Sequence, residues 1–535
     1  MSHRRRGCDV TRDERPDHDV VIVGGGIAGL TAAYLLRDQS ILLLERTDRL
    51  GGKVETVTIG NSTINVGTQF FNEEDTTFVR LIDELGIERT AHAGGSSPYA
   101  LHMGGKLLDD FGYLLRPGNL FHGIRMFSAM YRASKTFELP ADDPRWRALM
   151  TATLADLQNG YPPAVLGPVN TYMRGACVAK PERTAGGIGA LLTFDVVAEL
   201  SFVEGGTQRI TDELADRIGD RATTGAEVRE VRDHGDRVSV TYRTDDTEHT
   251  VTAGSVVMAT PPSVVTATVP ELPPATHQAL TSLRWGPIIV VSVFLNPGFT
   301  WPRWVGVLSE DAIFPGLIDA TFDQPLCPDD PVVYNCFVSV PPDETNLIAE
   351  LGAQSDEQIV DRVLADLRRI LADHDVDAHV RHTVVTRYMD GELELSPEYY
   401  LDVLPHLEAP VGNIHLCGDY THRVSFLAGA ALSAFRAARA LGSTRVPPES
   451  DEIVFPQVPR WGRVGLTALA VSAVAVIAGV GIGGTSGVAI AVVATLILAL
   501  TAVWPSLLPP HPTAYRALLG AGTTLAGLAA VGAAI

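Results

Sequence analysis

Residues Gly24-Gly25-Gly26-Ile27-Ala28-Gly29 form a GxGxxG run. It follows the apolar stretch 19–23 (DVVIV), which suits a buried parallel strand, and it opens a helical stretch over about residues 27–37. Gly24 permits a tight turn, Gly26 lets a pyrophosphate approach the backbone, and Gly29 lets helix and strand pack closely. Ile27 and Ala28 open the helix, whose N-terminus offers N–H donors and partial positive charge to phosphates. A lone GxGxxG is a weak sign. Here Glu45 ends a second strand (41–44) at 21 residues beyond Gly24, where an acid hydrogen-bonds ribose hydroxyls. The plain alternative is a glycine-rich turn beside a surface glutamate. Strand, helix and acid together point to dinucleotide binding instead.

Further motifs follow in order: Glu45-Arg46 with Gly51-Gly52-Lys53; Asn65-Val66-Gly67-Thr68-Gln69-Phe70; 203–214 (VEGGTQRITDEL); 225–231 (GAEVREV); 257–262 (VMATPP); Leu416-Cys417-Gly418-Asp419-Tyr420-Thr421; and 426–438 (FLAGAALSAFRAA). This series, over residues 19 to about 441, resembles the flavin amine oxidase and carotenoid (phytoene) desaturase superfamily. The resemblance implies FAD. It gives Arg46, Gly51, Gly52 and Lys53 to the run that wraps the pyrophosphate, and Gly67, Thr68 and Gln69 to the turn beside the flavin ring. It gives Val228 to the strand that meets adenine, and Gly418 and Asp419 to the ribitol and pyrophosphate. Leu427 and Ala428 then start a helix whose dipole points at the flavin and stabilises its anionic reduced form. Four positions depart from the family pattern: Lys53 for Arg, Asn65 for Asp, Ala428 for Glu and Ala434 for Gly.

The resemblance also bears on the branch. Amine oxidases of this group place a Lys near flavin N5, where Val290 falls here, and a Tyr before the last helix, where Phe426 falls. No Lys lies beyond Lys180. The run from Cys417 to Ala430 resembles the G-D-Y-T of phytoene desaturases, which take isoprenoids from membranes. The expected function is therefore hydride transfer from a substrate C–H to flavin N5, on a lipophilic isoprenoid or carotenoid, with a quinone or oxygen as electron acceptor. The alternatives are an amine oxidase or protoporphyrinogen oxidase-like enzyme, or a non-catalytic FAD-fold binding protein. No general base is named, and catalytic residues stay open. His422 and Arg423 either orient a substrate or serve the structure.

The elements that must position these residues give an α/β protein: a split Rossmann-like FAD-binding domain with an inserted mixed-sheet α+β substrate domain. The expected boundaries are a tail 1–18, FAD-binding segments 19–90, 203–265 and 401–445, substrate segments 91–202 and 266–400, a proline-rich linker 446–463, and an apolar region 464–535. Strands are expected at 288–295 and 331–340, and an amphipathic helix at 355–373, capped by Ser355. Leu120, Ile124, Phe127 and Tyr131 form one helical stripe, more consistent with a core than with a channel or bilayer face.

Net charge of −21 excludes a nucleic-acid partner, which needs clustered cations. Lysine occurs only at 53, 106, 135 and 180, as in proteins of salt-rich cytoplasm or of GC-rich genomes. The five cysteines are scattered, so neither a metal site nor a disulfide framework is expected. The runs 464–482 and 488–504 are uncharged and long enough to span a bilayer, and 518–535 is a weaker third. With Arg460, Arg463 and Arg516 beside them, the positive-inside rule implies a multi-pass C-terminal anchor in contact with membrane lipid, with the FAD domain in the cytoplasm.

Overall fold

A computed structural model describes residues 15–59, 62–73, 75–92, 99–108, 117–194, 200–297, 299, 305–322 and 329–447. The three apolar runs beyond residue 464 lie outside the described residues. Among the described residues, no helix is long and apolar enough to cross a membrane.

The first strand, His18–Val23, runs parallel to Ile41–Leu44 on one side and to the end of Thr247–Met258 on the other. Val23 stands opposite Leu44 and Met258. Ile414–Leu416 adds a further parallel strand beside Val256, Val257 and Met258. The carboxyl ends of four segments far apart in sequence thus meet along one edge, where open parallel sheets bind ligands. The antiparallel strands Val238–Thr244 and Ala226–Asp233 extend the sheet beyond Thr247–Met258.

Both faces of this sheet are covered, which explains why its strands are apolar without alternation. Val20, Ile22, Leu43 and Val257 pack under the opening helix Ile27–Leu35, the closing helix Phe426–Ala440, and the helices Thr76–Leu85 and Gln208–Ile218. Val21, Val23, Leu44 and Met258 face the opposite core. Every residue of the opening helix is buried. Three of its nine residues are alanine and one is glycine, so it can lie close to the alanine-rich closing helix.

The second sheet runs Val380–Leu393, Trp285–Leu295, Val332–Ser339, Gly316–Asp319, Gly306–Ser309, Tyr99–Met103 and Lys106–Leu108. It is antiparallel except where Gly306–Ser309 pairs with Tyr99–Met103. The expected strands at 288–295 and 331–340 are its second and third members, Trp285–Leu295 and Val332–Ser339. The expected amphipathic helix is Asp356–Ile370, closed by a capping box between Ser355 and Gln358. Its Ile359, Val363 and Leu367 cover Ile289, Val291 and Cys336. Strand alternation sends Ile288, Val290 and Phe337 to the other face, where they line a cavity.

The stripe on helix Pro117–Phe137 divides. Phe127 and Tyr131 pack on Phe194, with ring centroids 5.8 and 6.4 Å apart, whereas Ile124 is 52% exposed. The core role therefore holds for the C-terminal half of the stripe and not for Ile124. The side chain of Leu120 lies outside the described residues.

The helix Pro163–Cys177 forms one wall of the cavity and is tied by charge to Glu344, at the N-cap of the helix Thr345–Ala353 that follows the strand Val332–Ser339. Arg174 donates both guanidinium arms to Glu344 at 2.7 Å each, and Lys180 lies 2.8 Å away. Arg174, then Lys180, hold the Glu344 carboxyl down at about 2. A depressed carboxylate stabilises the fold above its unfolded value, near 4.5, and loses that contribution as pH falls toward 2. Glu344→Gln is expected to cost about 1–3 kcal/mol at neutral pH. In urea titrations it should flatten the stability loss over that acid window.

Candidate active site

The glycine run forms a turn that tolerates side chains at some positions and not at others. Gly24 has φ +104°, and a Cβ there would lie 2.4 Å from the Ala259 carbonyl oxygen. A Cβ on Gly29 would lie 1.9 Å from the carbonyl oxygen of Gly24. These two glycines are demanded by the protein's own packing. Gly26 is different: its φ is −76°, and a Cβ would meet nothing within 4 Å. The open space lies at the N-terminus of the opening helix, where Ile27, Ala28 and Gly29 begin a turn of amides without helical acceptors. Such a cradle fits a pyrophosphate.

Glu45 sits beside it. One carboxylate oxygen accepts from the Gly25 amide at 2.7 Å, and the other from the Thr47 amide and hydroxyl at 2.8 Å each. The backbone oxygen of Glu45 accepts from Ala226, at the head of the strand that carries Val228. Arg46 is exposed. Gly51 donates to the Gly25 carbonyl at 2.8 Å, and a Cβ on Gly52 would lie 3.1 Å from the Gly26 Cα. The Gly51-Gly52 pair is thus folded directly on the glycine turn.

Lys53 reaches away from it. Its ammonium donates to the Gly391 carbonyl at 2.9 Å and stands 4.9 Å from the Trp285 ring centre. The Lys53 carbonyl accepts from Thr68, and it leaves no room for a side chain on Gly67. The turn from Asn65 to Gln69 is locked from within. Asn65 Oδ1 accepts from Thr56 and from the Thr207 amide and hydroxyl, and Gln69 Nε2 donates to the Asn65 and Gly67 carbonyls. Buried Asn335 on the second sheet donates to the Asn65 carbonyl at 2.7 Å and to Gln69 Oε1 at 2.9 Å.

The C-terminal motif arrives on Ile414–Leu416. Gly418, at φ +148°, donates its amide to the buried Ser433 hydroxyl on the closing helix at 2.9 Å. Asp419 Oδ1 accepts from the Tyr420 amide. Residues 424–429 hook sharply: Phe426 has φ +69°, and a Cβ on Gly429 would overlap the Val424 carbonyl at 1.6 Å. Ser425, at the N-cap, keeps its hydroxyl buried and without a partner among the described residues. Leu427 and Ala428 then present the first turn of the helix to the cavity.

That cavity encloses about 230 Å³. Tyr172, Val290, Phe337, Tyr388, Glu392 and Phe426 are among its walls. Val290 and Phe426 therefore stand at the cavity, as their places in the family pattern imply. His422 and Arg423 do not line it. Burial pushes His422 down to about 4, so it is neutral at neutral pH. The backbone carbonyls of His422 and Arg423 accept from the hydroxyls of Tyr399 and Tyr400. Their role is to hold this loop. Glu392 and Asn335 were not legible as site residues. Glu392 sits in the charged run DGELE, which reads as a solvated strand end, and Asn335 interrupts an apolar strand without any motif.

The family model for flavin containing amine oxidoreductases matches residues 27–442. The chain belongs to that family. A protein of Dictyostelium discoideum named as a flavin-containing monoamine oxidase A is 23% identical over 461 residues, covering 79% of this chain and 97% of its own. One of Mycobacterium tuberculosis, also named as a flavin-containing monoamine oxidase, is 30% identical over 290 residues. There the match covers 49% of this chain and 61% of the relative, so the chain spans less than two thirds of that protein's length. Among solved structures, a putrescine oxidase bound to putrescine superposes with a TM-score of 0.64 at 20% identity, over 79% of this chain and 98% of that one. At that identity the likeness speaks for the fold.

The protein is thus an FAD-dependent oxidoreductase of the amine oxidase type, and the open space at Gly26 and the orphan hydroxyl of Ser425 fit the cofactor. Gly26→Ala should cost the apoprotein no more than about 1 kcal/mol, for the loss of a favourable N-cap residue, and yet lose bound flavin, because its Cβ takes only the open space. Gly29→Val should cost at least about 1–3 kcal/mol of stability as well. Thermal melts paired with the visible flavin absorbance of the purified variants distinguish the two.

Proposed function

We propose that the protein oxidises an amine, and that one FAD binds across the turn, the cavity and the closing helix. The Gly24–Gly29 cradle would hold the pyrophosphate, with Glu45 at the ribose, Val228 at the adenine, Gly51 and Gly52 wrapping the phosphates, and Gly418 and Asp419 at the ribitol. Lys53, which the resemblance gave to the phosphates, is instead turned to the cavity wall at Gly391. Gly67, Thr68, Gln69, Leu427 and Ala428 border the flavin ring. When bound, the flavin would supply a two-electron hydride acceptor for the carbon next to the amine nitrogen.

The protein's own residues do the rest. Tyr172, Phe337, Tyr388 and Phe426 give the cavity aromatic walls, which attract a cationic amine and exclude water. This aromatic lining carries the reading. The dipole of the closing helix, fifteen residues long, favours negative charge at its N-terminus. Val290 supplies no proton-carrying group from the long strand, so proton handling falls to other walls of the cavity.

The isoprenoid substrate expected from the sequence gives way to the amine alternative, which the family match and the amine-oxidase relatives favour. The C-terminal membrane anchor, with the flavin domain on the cytoplasmic side, rests on the apolar runs beyond residue 464 and remains a proposal from sequence. Oxygen or a quinone would reoxidise the flavin.

Anaerobic mixing of the flavin-loaded protein with a panel of primary amines and diamines should bleach the flavin, and a detergent-solubilised phytoene should not. Bleaching by the isoprenoid alone would overturn the amine reading. No bleaching by any member of either class would favour a non-catalytic flavoprotein.

A further inference from the structure

Among the described residues, three charged side chains line the cavity: Lys53, Asp75 and Glu392. Lys53 is engaged by the Gly391 carbonyl and the Trp285 ring, and Asp75 stands at the N-cap of the helix Thr76–Leu85. Glu392 is unlike either. Its Oε2 is sealed from solvent and has no hydrogen-bond partner among the described residues. An orphan carboxylate oxygen in apolar surroundings is costly, so such a group either stays neutral or meets a cation.

The backbone is shaped to put it there. The strand Val380–Leu393 pairs with Trp285–Leu295, but the ladder slips: Gly286 faces Glu392, while Ile288 faces Tyr388. Pro287 alone stands opposite Met389, Asp390 and Gly391. Bulges of this kind re-aim side chains near active sites. Lys53 fixes the bulge by binding the carbonyl of Gly391, next in sequence to Glu392. The groups that act electrostatically on Glu392 are Lys53 and Asp419, and Tyr388 shares its strand and the cavity. Burial, aided by Asp419 and opposed by Lys53, pushes the Glu392 carboxyl up to about 8. A carboxyl so raised can exchange a proton near neutral pH.

Resting on the amine-oxidation reading, we propose that Glu392 meets the substrate ammonium in the cavity and takes its proton, freeing the nitrogen lone pair before the C–H bond breaks. As the cation enters, Glu392 first gives up its own proton to solvent; one N–H bond then breaks and one O–H bond forms on the Glu392 carboxylate. The ammonium becomes a neutral amine, the carboxylate becomes an acid, and no electrons move. The two electrons of the later C–H oxidation go to the flavin. This assigns to a bulged strand end the proton handling that Val290 cannot provide.

The test uses the full-length, flavin-loaded protein and benzyltrimethylammonium, a cation with no proton to give. Calorimetry near pH 7 in two buffers of different ionisation enthalpy reads the protons exchanged on binding. The wild type should release a proton as Glu392 ionises beside the fixed cation. Glu392→Gln should release none, and Glu392→Asp should retain release. In anaerobic reduction by benzylamine at the same pH, Glu392→Gln should be slowed about 100-fold or more with its flavin absorbance intact. Should Gln at 392 cost the bound flavin, the Glu392→Asp calorimetry decides: no release there counts against the proposal. Equal proton release and equal reduction rates in wild type and Glu392→Gln would overturn the role of Glu392 and leave the amine reading standing. If no amine in a broad panel reduces the wild type, while proton release still depends on Glu392, the amine reading fails and Glu392 survives only as a cation-binding group.

Discussion

A side chain on Gly29 would collide with the carbonyl of Gly24, and one on Gly24 with the carbonyl of Ala259. This three-way backbone contact sets the distance between the first strand, the opening helix and the end of Thr247–Met258. Because the contact is so close, Gly26 is left facing open space at the N-terminus of a buried helix. The Gly51-Gly52 pair can then lie against the turn, and Lys53 can point across the molecule. The positions of Lys53, of the Asn65–Gln69 turn and of the cavity wall at Gly391 all descend from that packing.

Directional polar contacts join the second sheet to this centre. Asn335 reaches from Val332–Ser339 to Asn65 and Gln69, and Lys53 reaches to Gly391. Such contacts are directional in a way that apolar packing is not, and leaving them unmade inside a core is costly. They hold the cavity in register with the closing helix. Asn65 can serve in place of the family's Asp because its amide both accepts from Thr56 and Thr207 and donates to the Gln69 carbonyl. A carboxylate could not make that last bond.

Much of the fold was readable because it depends on local rules. Glycine spacing after an apolar strand announces a βαβ start, the strands Trp285–Leu295 and Val332–Ser339 are rich in β-branched residues, and Ser355 heads a clearly amphipathic helix. What escaped depends on tertiary context. Ile124 is on the same stripe as Phe127 and Tyr131, yet only the latter two find Phe194 to pack against. Periodicity defines a face of a helix, but not how far the partner surface extends. His422 and Arg423 sit beside the cofactor motif in sequence, but their carbonyls are taken by Tyr399 and Tyr400 from a distant turn. Glu392 reads as a solvated charge until the strand slip at Pro287 brings it to the cavity. The lipophilic-substrate expectation leaned on the missing Lys, the G-D-Y-T run and the uncharged runs of the C-terminal region, none of which reads the aromatic walls that the fold brings together around the cavity.

The central claim is that one FAD spans the Gly24–Gly29 turn and the first turn of the closing helix, with the aromatic cavity in front of its ring. A crystal structure of the purified, flavin-loaded protein tests it most directly. The expected density places the pyrophosphate against Gly26 and the flavin ring between Gly67 and Leu427, open to Tyr388 and Phe426. Density with the pyrophosphate elsewhere, or with the ring turned away from residues 425–428, would contradict it.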